Sequence, residues 1–69
     1  NSVSPGFTVT ELTKKTLGVD GMNKIKSQIP LKRLATTKDI SNAILFLCSE
    51  LNTYISGQDL IVDGGFCTT

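Results

Sequence analysis

Gly57-Gln58-Asp59-Leu60-Ile61-Val62-Asp63-Gly64-Gly65 decides the fold. Gly57 breaks the element before it, Leu60-Ile61-Val62 is a short unbroken apolar run, and Asp63-Gly64-Gly65 turns the chain. A run of this kind, bounded by glycine, is the pattern of a strand covered on both faces, as in the middle of a parallel sheet. Asp59 and Asp63 flank the run and read as its ends rather than as a catalytic pair, because paired carboxylates work inside a pocket. A strand must pair with another strand. Only residues 2–4 offer a β-leaning neighbour, and two strands alone make a marginal sheet.

The element before this strand is a helix over residues 36–51. Thr36-Thr37-Lys38-Asp39 has the form of a capping box, with Thr36 at the cap and Asp39 three positions on. Ile40, Ala43, Ile44, Leu47 and Leu51 recur at helical spacing, and Leu45, Phe46 and Cys48 fill the gaps. A helix apolar nearly all round is buried nearly all round. A chain of 69 residues cannot supply that cover. Leaving Leu45, Phe46, Ile61 and Val62 exposed forfeits about 1.5–3 kcal/mol each. That is large against a domain stability of about 5–15 kcal/mol. The segment is therefore not expected to be a stable monomer.

Further out, Pro5-Gly6 is a turn signal that ends a strand whose last residue reads as Val3. Residues 10–29 read as two short helices. Thr10 caps the first with Glu11 at its positive end, Gly18 terminates it, and Asp20 caps the second. Met22, Ile25 and Ile29 share one side of that second helix, and Pro30 stops it. Neither is long enough to be stable alone, so this stretch is expected to be the mobile one.

Composition narrows the function. Seven basic and six acidic residues give a net charge of +1, with no dense basic stripe for nucleic acid. Lys14, Lys15, Lys24, Lys26, Lys32 and Arg33 make the first half basic and read as a solvated face. No apolar run reaches the roughly 20 residues that span a bilayer. The chain opens on Asn1 with no methionine or leader, so continuation upstream is expected, in a cytoplasmic protein. Two cysteines and no histidine disfavour a structural zinc or a disulfide framework. Two reduced thiols are expected, with Cys48 a small buried apolar residue.

Four stretches together resemble the short-chain dehydrogenase/reductase family. Asn1-Ser2-Val3-Ser4-Pro5-Gly6-Phe7-Thr8-Val9-Thr10 is similar to its N-x-V-x-P-G-x-x-x-T signature, and Ile29-Pro30-Leu31-Lys32-Arg33 to I-P-L-x-R. Asp39-Ile40 with Ala43, Phe46-Leu47 and Ser49 resembles E-I-x-x-A-x-x-F-L-x-S. Ile55-Ser56-Gly57-Gln58 and Val62-Asp63-Gly64-Gly65 resemble I-T-G-Q and V-D-G-G. The pieces keep the family's order and spacing as far as Phe66. Thr8 stands where an aliphatic residue is usual, and Ala35 and Thr37 replace a common glycine and proline.

The resemblance implies an α/β fold. Residues 1–69 would be the C-terminal part of one NAD(P)-binding, doubly wound Rossmann domain: a strand end, two short helices, one long helix and the final strand, not an independent domain. It implies NAD or NADP as cofactor and a 3-oxoacyl-carrier-protein-reductase-like reaction, hydride transfer between nicotinamide and a carbonyl or secondary alcohol. Pro5, Gly6, Thr8 and Thr10 would bind the cofactor, Thr8 through its backbone and Thr10 through its hydroxyl. Enoyl reductases of the superfamily tend to carry Gly-Pro in place of Pro5-Gly6, which favours carbonyl chemistry. Residues 11–29 would form a substrate lid, and its few aromatics argue against a flat aromatic substrate. Helix 37–50 and strand 59–62 would build a homotetramer interface. The remaining partners are the N-terminal part of the same domain and a small carbonyl or alcohol substrate, with neither nucleic acid nor membrane.

The family's catalytic Tyr-x-x-x-Lys pair is not in this stretch. The single tyrosine, Tyr54, is followed four positions on by Gln58, and no glycine-rich phosphate loop is present. Without histidine there is no Ser-His or Cys-His nucleophile. The 69 residues alone are thus expected to be inactive, with no catalytic or metal-binding residue. The alternative is a non-catalytic binding module that docks on a full-length homologue.

Overall fold

The computed structural model describes residues 1–68. Strand β1 (Ser2–Pro5) pairs in parallel with strand β2 (Asp59–Val62), in the register Ser2↔Asp59 to Pro5↔Val62. Because side chains alternate, Val3, Pro5, Leu60 and Val62 point to one face and Ser2, Ser4, Asp59 and Ile61 to the other. Helix α2 (Thr37–Cys48) lies against the first face, where Ile44 and Leu47 line one hollow with Val3, and Phe46 and Leu47 line another with Leu60. The second face is polar at its start. Ser2 and Ser4 Oγ each donate to Asp59 Oδ1 at 2.8 Å, which holds the Asp59 carboxyl below its usual range.

The two layers give a plate 15 Å thick, one helix on one sheet. Its surface of 5122 Å² exceeds the roughly 4,200 Å² typical of a compact monomer of this mass. Among the described residues only Ile29 (2% exposed) and Leu34 (8%) are buried apolar residues, while Leu45 is 65% and Ile61 52% exposed. The apolar faces read from the sequence are present and lack cover from these residues.

Both ends of α2 have local causes. Thr36 Oγ1 accepts from Asp39 N at 3.2 Å and Asp39 Oδ2 accepts from Thr36 N at 2.8 Å, the expected capping box. Arg33 adds a 2.8 Å ion pair to Asp39. At the other end the helix stops at Cys48, short of the expected residues 50 and 51, because later side chains take its last carbonyls. Ser49 Oγ donates to Phe46 O and Asn52 Nδ2 to Leu47 O. Cys48 and Cys67 are exposed free thiols, so the expected burial of Cys48 fails; the helix face that carries it has no cover here.

Helix α1 (Glu11–Gln28) bends at Gly18, whose φ of 66° and ψ of −179° divide it into the two expected segments. Asp20 is not a cap. Gly18 alone leaves helical angles, so the second segment has already begun when Asp20 is reached. Thr10 caps the first segment and Ile29 ends the second in extended conformation before Pro30. The six basic side chains of this half are all exposed, as expected of a solvated face. Strand β1 continues two residues beyond Val3, because Pro5 still pairs with Val62 and Gly6 N still donates to Val62 O at 2.9 Å. Among the described residues no helix is long and apolar enough to cross a membrane.

Candidate functional site

The two parallel strands end side by side, and from them leave the loop of residues 6–10 and the turn of residues 63–67. Asp63 organises the turn. Its Oδ1 accepts from Gly65 N and its Oδ2 from Cys67 N, each at 2.9 Å. The Cys67 thiol and amide, with the Gly65 amide, hold the Asp63 carboxyl below its ordinary range, and Asp63 in return pushes the Cys67 thiol up. Gly64, at φ 64°, lies where a Cβ would stand 2.8 Å from Ile29 Cγ2, so the fully buried Ile29 side chain seats on that glycine.

Gly6 is required by proximity. A Cβ there would lie 2.6 Å from Asp63 Cβ and 2.8 Å from Asp63 Cα. The missing side chain brings the two loops into contact, and Phe7 then packs edge-on against Phe66, with ring centroids 5.2 Å apart. Ser4, Pro5, Gly6, Phe7, Asp63 and Phe66 contribute to an open hollow of about 510 Å³ on the face opposite α2.

Thr8 sits on a second short parallel bridge, to Ala35. Ala35 N donates to Phe7 O at 2.9 Å and Val9 N donates to Ala35 O at 2.8 Å. These bonds bracket Thr8, so its own N–H and C=O face away from Ala35, toward the opposite edge. There its C=O accepts from Thr13 Oγ1 at 2.7 Å, while its N–H has no acceptor among the described residues. Thr10 Oγ1 accepts from Thr13 N at 3.2 Å and stands 3.0 Å from Thr13 Oγ1. Thus Pro5 closes β1, and Gly6, Thr8 and Thr10 follow on the loop at the carboxyl ends of the strands. A sheet of this class binds its ligands beyond those ends.

Three contributors were not read from the sequence. Thr13 holds both Thr8 and Thr10, and a Thr-x-x-Thr spacing at a helix start is the signal that would have found it. The Asn1 carboxamide accepts from Gln58 N and donates to Ile55 O, each at 2.9 Å, clamping the start of β1 to the loop before β2. Asp63, read as a strand end and the start of the turn, also anchors that turn through its carboxylate and faces Gly6, a role the sequence did not show.

A family model described as enoyl-(acyl carrier protein) reductase matches residues 1–67. The 3-oxoacyl-(acyl-carrier-protein) reductase of Buchnera aphidicola subsp. Schizaphis graminum is 49% identical over 69 residues, 100% of this chain and 28% of that protein. The structure of a short-chain dehydrogenase/reductase from Brucella melitensis superposes with a TM-score of 0.84 at 38% identity, covering 93% of this chain and 26% of that one. The chain belongs to the short-chain dehydrogenase/reductase family. An Agrobacterium tumefaciens member, described as a 2-deoxy-D-gluconate 3-dehydrogenase with bound NADP, gives a TM-score of 0.85 at 34% identity over 97% of this chain and 28% of its own. The chain therefore spans about a quarter of the length of the short-chain dehydrogenases/reductases it matches. Their Rossmann-type structures accord with its α/β architecture.

Proposed function

We propose that residues 1–69 are the C-terminal part of one NAD(P)-binding Rossmann domain, and that the complete protein is an NAD(P)-dependent oxidoreductase. One observation carries this reading: the Thr8 N–H, without an acceptor among the described residues, lies on the same edge as the Thr10 hydroxyl at the carboxyl ends of β1 and β2. A donor beside a hydroxyl is the complement of a primary carboxamide, the polar group of nicotinamide. The cofactor, when bound, supplies or accepts the hydride. Pro5 and Gly6 set the path of the loop against the ring, the Thr8 amide donates to the carboxamide oxygen, and the Thr10 hydroxyl meets its nitrogen. The Agrobacterium relative with bound NADP supports the cofactor class.

The substrate in this reading is a small carbonyl compound or secondary alcohol. The family description names enoyl reduction, but the Buchnera relative is a 3-oxoacyl reductase and the Pro5-Gly6 order favours carbonyl chemistry. Residues 11–29 close over the substrate, and α2 with β2 packs a second subunit in a cytoplasmic homotetramer. The exposed Leu45 and Ile61 support such cover. The missing N-terminal part supplies the catalytic tyrosine and lysine.

The test is made on the native polypeptide. Its intact mass should lie well above 7.4 kDa, with Tyr-x-x-x-Lys encoded upstream. It should bind NADH or NADPH saturably and oxidise it only when a ketone is added. A native species of 7.4 kDa, or a larger one that binds neither nucleotide, overturns the reading.

A further inference from the structure

Thr13 has one hydroxyl proton and two oxygen neighbours. Thr8 O stands at 2.7 Å and Thr10 Oγ1 at 3.0 Å. Thr8 O is a carbonyl and only accepts, so the Thr13 proton goes there. The 3.0 Å contact is then Thr10 donating to Thr13, and the relay runs from the Thr10 hydroxyl through the Thr13 hydroxyl to the Thr8 carbonyl. Thr10 also accepts from Thr13 N, which leaves its oxygen one lone pair and no proton for anything outside. The Thr8 carbonyl keeps one lone pair and offers no proton either, so the edge shows one donor, the Thr8 N–H, and beside it acceptors only, the nearest to a ligand's second polar group being on Thr10.

We propose that Thr13 is a positioning residue that fixes this polarity and so makes the loop select a carboxamide over a carboxylate. A carboxamide brings one acceptor and one donor group, which match the pair. A carboxylate brings two acceptors, and its second oxygen would face the Thr10 lone pair. Without the Thr13 hydroxyl the Thr10 proton is free to turn outward and meet either group. The inference rests on the nicotinamide reading above, which it deepens.

The test uses the full-length protein and Kd values from calorimetry. NAD+ and NADP+ are titrated, and the tighter binder is compared with its nicotinic-acid counterpart, identical but for carboxylate in place of carboxamide. The native protein should prefer the amide at least about tenfold, the range of a hydrogen bond gained or lost. Thr13→Val should lower that preference about tenfold, since Thr10 still caps the backbone at residue 13 but no longer has its proton engaged. Thr13→Ser, which keeps the hydroxyl, should restore the preference to within about twofold. If Thr13→Val does not fold, Thr13→Ala makes the same comparison. Equal weakening for both nucleotides would mean that Thr13 merely supports the loop, and an unchanged preference would mean that it sets no polarity; either overturns the proposal. A native protein that binds neither nucleotide overturns the parent reading instead, so the two failures are distinct.

Discussion

Replacing Gly6 with alanine isolates the contact that brings the two site loops together. The added Cβ would stand 2.6 Å from Asp63 Cβ and 2.8 Å from Asp63 Cα, about 1 Å inside ordinary carbon–carbon contact. Neither atom can swing aside. The Asp63 carboxylate is tied to two backbone amides, and the residue before it accepts the last ladder bond, Gly6 N to Val62 O at 2.9 Å. The φ of Gly6 is not among the positive values, so the penalty is collision alone. Overpacking against fixed neighbours costs about 1–3 kcal/mol, and losing the ladder bond adds about 1. The expected loss is about 2–4 kcal/mol, read as a fall in the urea midpoint of the full-length protein at unchanged m-value. Gly57 provides the control: its φ is 70° with nothing within 4 Å, so Gly57→Ala carries only backbone strain of about 1 kcal/mol. If Gly6→Ala proves no more damaging than Gly57→Ala, the close approach of the two loops is wrong.

Lys32 occupies left-handed backbone at φ 59°, the only described non-glycine residue to do so, and Lys32→Gly should raise stability in urea by about 1 kcal/mol; a loss would place the residue elsewhere. Acid should weaken the structure by a defined route. Arg33, then the Thr36 amide and hydroxyl, hold the Asp39 carboxyl well below its ordinary 3.8, so the folded state binds fewer protons there than the unfolded chain. The associated stability is complete above that ordinary value and fades as pH falls below it. Asp39→Asn should flatten this acid limb in pH-dependent unfolding, and an unchanged limb would refute the assignment. The 69 residues made alone should show poorly dispersed amide NMR resonances, whereas a dispersed spectrum from a monomer would contradict the need for outside cover.

What was legible in the sequence was local or periodic. The Thr36–Asp39 box lies within one turn of chain, and β2 was read at its observed limits, Asp59–Val62, from glycine-bounded apolar residues. Gly18 divided α1 where its backbone preference said it would. The features that escaped reading join distant parts of the chain. Asn1 reaches a loop 54 residues on, and Gly6 is small because of Asp63, a neighbour that only the parallel pairing creates. The early end of α2 depends on Asn52 folding back onto Leu47, which no helical period encodes. Of the candidate site, the loop itself was readable by resemblance. The direction of its hydrogen bonds was not, because that is fixed by Ala35 on one side and Thr13 on the other.

In the proposed function the edge formed by Thr8 and Thr10 holds the nicotinamide carboxamide. A crystal structure of the full-length protein with its preferred nucleotide tests it most directly, through the distance from Thr8 N to the carboxamide oxygen. That distance should be about 2.7–3.2 Å, with the carboxamide nitrogen on Thr10 Oγ1. A nicotinamide bound elsewhere, with the Thr8 N–H facing water, would contradict it.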